Sequence, residues 1–136
     1  MNNGFYEFSR GKQETTSSVF PYTGSAIITG SLDITGLVGV TGSLSQGSNN
    51  TASGSYSHAE GESTQAFGIG SHAEGLNTFA SGAYQHVQGQ FNLTSPMQGA
   101  FIIGNGTSAG SRSNLVYASG SEFQITGSLV VNGNTR

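Results

Sequence analysis

The chain has 136 residues, of which 34% are hydrophobic and 8% charged; glycine fills 22 positions, and the formal net charge is −3. Compositional disorder carries high net charge and few aromatics, whereas here aromatics reach 10%, so an ordered, repetitive β structure is the expectation. The absence of cysteine excludes disulfides and thiolate metal sites, and four Lys plus Arg give no basic patch for nucleic acid.

Residues 1–22, MNNGFYEFSRGKQETTSSVFPY, show no period but contain Phe5, Tyr6, Phe8, Phe20 and Tyr22. Aromatic anchors concentrate binding energy at interfaces, so this stretch reads as an attachment segment that docks into another protein. No cationic region followed by an apolar run opens the chain, and no stretch approaches the roughly 20 apolar residues of a membrane span. Membrane insertion is therefore not expected.

Residues 23–44 repeat every six. Thr-Gly occurs at 23–24, 29–30, 35–36 and 41–42, and apolar residues alternate between them, as in Leu32 and Ile34 or Val38 and Val40. Each unit predicts a strand of three or four residues ended by a glycine able to take φ > 0. Strands this short are marginal alone. Three chains wound about a common axis would bury Leu32, Ile34, Val38 and Val40 as a shaft core. The pattern returns as ITGSLVVNG over residues 125–133. Hexapeptide acyltransferases share this period, but they need many more uninterrupted hexads than four.

Residues 45–93 repeat every seven. Glycine stands at Gly47, Gly54, Gly61, Gly68, Gly75, Gly82 and Gly89, and a small apolar residue precedes the last six by two places: Ala52, Ala59, Ala66, Ala73, Ala80 and Val87. The intervening residues alternate, so two heptads form a unit of fourteen, and His58, His72 and His86 fall at that spacing. Glycine at every seventh residue would cost a helix about 1 kcal/mol each, with no leucine stripe to offset it. Strand geometry fits instead, since residues i and i+2 share a face. Ala52, Gly54, Ala59, Gly61, Ala66, Gly68, Ala73, Gly75, Ala80, Gly82, Val87 and Gly89 are the expected interior, with His58, Glu60, His72, Glu74 and His86 as an outer ladder. An interior of alanine and glycine is narrow, so the prediction is a flattened β-solenoid whose coils stack about 4.8 Å apart.

Residues 94–136 hold Phe101-Ile102-Ile103, Leu115-Val116-Tyr117 and Phe123-Gln124-Ile125, three predicted strands joined by Gly/Ser turns.

The Ala-x-Gly heptads, with Ser57, Thr64, Ser71 and Thr78 two places ahead, resemble the left-handed β-roll of trimeric autotransporter adhesin heads. A similar roll, with the Ser-His-Ala-Glu-Gly wording of residues 57–61 and 71–75, is found in bacteriophage fibre proteins. The Thr-Gly-Ser-Leu hexads resemble phage shaft segments, and Ile-Gly-Asn-Gly-Thr-Ser followed by Arg-Ser-Asn (residues 103–108 and 112–114) resembles a motif that follows β-rolls in phage tail and fibre proteins. Neither a coiled-coil stalk nor a membrane-barrel segment accompanies the roll, which favours phage over adhesin. The resemblance implies an all-β parallel homotrimer: a left-handed roll of 14-residue coils, flanked by hexad triple-β shafts and a small C-terminal β region. It further implies a structural virion protein, a fibre or decoration on the outside of capsid or tail. Its partners would be its own copies, other virion proteins through the N-terminus, and a host surface receptor. The alternative is a head fragment of an adhesin on a bacterial cell surface.

Enzymatic readings are weaker. Glu60 and Glu74, one coil apart, have the spacing of paired glycosidase carboxylates, but nothing supplies a desolvated cleft. The histidines read first as a ladder bonded to Glu60, Glu74 and Gln88; metal binding at a three-fold axis is the alternative. Phe67 and Phe79 read as packing between chains in preference to a sugar platform, and Arg112 as a turn or inter-chain hydrogen-bond donor in preference to a receptor contact. An ice-binding surface would need a Thr-x-Thr ladder, which is missing. No catalytic residue and no cofactor is expected.

Overall fold

The computed structural model describes residues 26–133, and no helix occurs among them. The chain divides into two compact units, Met1–Leu37 and Val38–Arg136.

The described part of the first unit, residues 26–37, is extended backbone with bends at Gly30 and Gly36. Those glycines hold φ of 117° and 133°, conformations that residues with a β-carbon rarely adopt. The hexads are a run of bends, and among the described residues none of the expected short strands forms before Leu44. Ile27, Leu32, Ile34 and Leu37 stand exposed.

The second unit opens on one more hexad, which carries exposed Val38 and Val40, and then becomes a β-solenoid. Seven strands form one sheet in the order β1 (Leu44–Ser48), β3 (His58–Glu62), β5 (His72–Leu76), β7 (His86–Gln90), β8 (Phe101–Asn105), β9 (Asn114–Ser119) and β10 (Glu122–Ile125). A second, three-stranded sheet holds β2 (Thr51–Ala52), β4 (Gln65–Ala66) and β6 (Phe79–Ala80). From β1 to β8 the large sheet is parallel, with Leu44, His58, His72, His86 and Phe101 in one register column. The spacing of fourteen thus holds through β7, and the next coil takes fifteen. β8, β9 and β10 then pair antiparallel, so the sheet runs unbroken across the boundary expected at residue 93.

Each coil turns two corners, and each corner carries a residue in the left-handed region. These are Asn49, Tyr56, Ser63, Gly70, Asn77, Tyr84 and Phe91, every seventh residue. The strain is held by pairing between coils: Ser63, Gly70, Asn77, Tyr84 and Phe91 each donate their N–H to a carbonyl of the preceding coil at 2.8–3.0 Å.

The interior is a double column. Ala59, Ala66, Ala73, Ala80, Val87, Ala100 and Ile102 are fully buried, and so are Ser57, Thr64, Ser71, Thr78, Gln85 and Asn92. Along the large sheet the residue in this column grows from Ala59 and Ala73 to Val87, Ile102 and Tyr117.

Candidate functional site: the outer ladder and the closed end of the roll

The interior expected from the heptads divides into two sets. Gly54, Gly68 and Gly82 are buried beside the alanines, and Ala52 is partly buried. Gly61, Gly75 and Gly89 are exposed, within the long strands. They lie at the surface with positive φ, 107° at Gly75, so the strand alternation that assigned them inward does not hold there. Five of the six are glycine for one reason: a β-carbon would meet the carbonyl of the next coil, as at Gly68 against Gly82 and Gly75 against Gly89, while at Gly82 it would meet the Gln85 side chain and the Met97 carbonyl. The true inward partners of the alanines are the buried Ser and Thr residues.

His58, His72 and His86 share one column of the large sheet, and Glu60 and Glu74 occupy the next. The His58 and His72 rings stack with centroids 4.7 Å apart and planes 12° from parallel. His72 and His86 meet edge-on, also at 4.7 Å. The expected hydrogen bonds to the glutamates are long: His58 Nε2 to Glu60 Oε2 is 3.4 Å, and Glu74 sits 3.8 Å from His72 Nε2 and 3.9 Å from His86 Nε2. Nε2 of His58 and of His72 has no hydrogen-bond partner. Burial pushes the His72 pKa below its ordinary value, and the neighbouring His86 and His58 add to the shift against the opposing pull of Glu74 and Glu60. The shift favours the neutral form of the middle ring. Glu60 and Glu74 line an open groove with Gln88 and Ile103, and each carboxylate is about a third exposed.

Two side chains that the heptad reading passed over close the far end of the solenoid. Gln85 occupies the column of Ser57 and Ser71, and Asn92 that of Thr64 and Thr78. Gln85 Nε2 donates to the Ser95 and Met97 carbonyls at 2.6 and 2.8 Å. Asn92 Oδ1 accepts the Phe79 N–H at 2.8 Å, and its Nδ2 donates to the Phe79 and Leu93 carbonyls. In the coils below, the equivalent N–H groups of Thr51 and Gln65 bond to the carbonyls of Thr64 and Thr78. The Asn92 amide therefore stands in for the missing fourth strand of the small sheet. The signal was legible as a break in the Ser/Thr column, and Asn50 makes the same break at the other end, accepting the Thr64 N–H at 2.9 Å.

Arg112 supplies the last fastening. Its Nη1 donates to the Asn77 carbonyl at 2.9 Å and to the Asn92 carbonyl at 3.3 Å, and its Nη2 donates to Asn77 Oδ1. The guanidinium lies 4.4 Å from the Phe79 ring centroid, while Phe79 meets Phe67 at 6.4 Å. The donor role expected of Arg112 is thus filled within the chain. Arg112→Ala should lower stability by about 1–3 kcal/mol, through unmet carbonyls and a lost cation–π contact. Arg112→Lys should recover little of it, because an ammonium lacks the planar fork. Urea unfolding followed by circular dichroism reads both.

Leu32, Ile34, Val38 and Val40, the expected shaft core, are each about half exposed or more. Phe5, Tyr6, Phe8, Phe20 and Tyr22, the expected attachment residues, lie outside the described residues. No family model, curated protein or solved structure matches the chain. The fold defines its class, a β-solenoid of 14-residue coils, and its motifs carry the functional reading.

Proposed function

We propose that this chain is a structural protein of a bacteriophage particle, a homotrimeric fibre or surface decoration built on a left-handed roll. The observation that carries the self-association is the backbone, unpaired among the described residues, that precedes and follows the roll in sequence. Leu32, Ile34, Val38 and Val40 on one side, and Leu129, Val130 and Val131 on the other, are exposed in the single chain. Soluble proteins rarely leave such runs uncovered. Two further copies would supply both the strand partners and the apolar cover, each side chain contributing about 1.5–3 kcal/mol when fully buried. The particle assignment is supported by the likeness of the heptads, the hexads and the Arg-Ser-Asn segment to phage fibre sequences. In this reading residues 1–22 dock the trimer to other virion proteins, and the roll is the stiff outer part that meets the host surface. An adhesin head remains the second reading because the roll motif is common to both.

Sedimentation equilibrium should return three times the 13.9 kDa chain mass, and Val38→Asp with Val40→Asp should return the single mass. A monomeric wild type at micromolar concentration would overturn the trimer. Immunogold labelling of purified particles should decorate capsid or tail; label confined to bacterial envelopes would favour the adhesin.

A further inference from the structure

The Nε2 atoms of His58 and His72 are themselves shielded from solvent and make no hydrogen bond within the chain. A buried nitrogen left in that state costs free energy. The donor atoms of His58, Glu60 and His72 all lie within 4.8 Å of one another. The parallel register dictates this grouping: residues i and i+2 share a face, and residue i+14 is stacked directly on i. We propose that His58, Glu60 and His72 form a binding site for a borderline divalent cation, zinc foremost, held within one chain and independent of any assembly.

The donor set selects the ion. Two imidazole nitrogens and a carboxylate suit zinc, nickel or copper, whereas magnesium and calcium prefer all-oxygen shells. Zinc bonds of about 2.0–2.1 Å require the donors to draw in from their present separation. The His58 and His72 rings, now nearly parallel, must turn so that both lone pairs converge. Rotation about the imidazole χ2 lies in a broad well, so the turn is a small adjustment, and water completes the coordination. The next coil is less suited. His72 and His86 meet at 75°, Glu74 lies between them at 3.8 and 3.9 Å, and His72 cannot serve two ions at once. One ion per chain follows.

The full chain, stripped with chelator, is titrated calorimetrically with zinc chloride and melted with and without it. The expected result is one zinc per chain and a melting temperature raised by several degrees, reversed by chelator and not reproduced by magnesium. His58→Gln and His72→Gln should each weaken binding about tenfold or more, while His86→Gln keeps it. Cobalt titration of the wild type adds a readout that needs no variant: visible absorption of a four-coordinate nitrogen and oxygen site. Absence of both heat and thermal shift at about 100 µM zinc would overturn the proposal. So would binding that survives the His58→Gln, His72→Gln pair, or that falls as far in His86→Gln as in His58→Gln.

Discussion

Gly75→Val should destroy the ordered roll in far-UV circular dichroism and thermal melting. Two costs fall on the same atom. The new β-carbon would lie 2.0 Å from the Gly89 carbonyl oxygen, which is fixed in the hydrogen-bonded stack and cannot swing aside as a side chain would. Overpacking of this kind costs about 1–3 kcal/mol. The backbone at φ 107° is also closed to a β-branched residue, for about 1–3 kcal/mol more. Together these consume a large part of the 5–15 kcal/mol that stabilises a typical domain. The control is Ser63→Asn, which installs at one corner the residue that Asn49 and Asn77 already provide at equivalent ones. It should move stability by less than about 0.5 kcal/mol. A Gly75→Val protein that melts with the wild type would mean that the coils do not stack in the register found here.

The second large effect is expected at Asn92. Asn92→Ala removes three side-chain hydrogen bonds and leaves the Phe79 N–H without its acceptor at the end of the small sheet. An unsatisfied buried donor costs about 1–3 kcal/mol, and the small sheet has few other bonds with which to absorb the loss. Native-state hydrogen exchange should show the Phe79 amide losing protection while the amides of β3 and β5 keep theirs. Asn92→Thr restores the residue type of the column, but its hydroxyl sits one bond nearer the backbone and is a single atom in place of Oδ1 and Nδ2, so it should fail nearly as badly. If Asn92→Thr behaves as wild type, the strand-mimicking role assigned to the amide is wrong.

Much of the fold was legible because its period is written in residue identity. A solenoid repeats the same local environment every coil, so the same residue types recur at fourteen, and Ala59, Ala73 and Val87 announce one buried column without knowledge of any other part. The hexad glycines were legible for the same reason, since Gly30, Gly36 and Gly42 all carry positive φ. Strand pairing was not legible there, because pairing needs a neighbour, and among the described residues none pairs with this run.

What the sequence concealed depends on the stacking itself. Heptad glycines look identical in a list, yet Gly68 is buried and Gly75 exposed, because the first lies in the bend after a short strand and the second inside a long one at positive φ. Tyr84 and Phe91 hold left-handed corners that propensity would reserve for glycine or asparagine; carbonyls from the preceding coil override it. The candidate site divides in the same way. Spacing alone put His58, Glu60 and His72 on one face, since period-two alternation and in-register coils are local consequences of the repeat. Only the tertiary structure showed that no glutamate oxygen is placed to hydrogen-bond the Nε2 of His58 or His72, and that Gln85, Asn92 and Arg112 close the end of the roll. Those contacts join residues up to 35 positions apart, and they form where the repeat stops, where a period has nothing left to specify and the open backbone must find whatever donors and acceptors the chain brings to it.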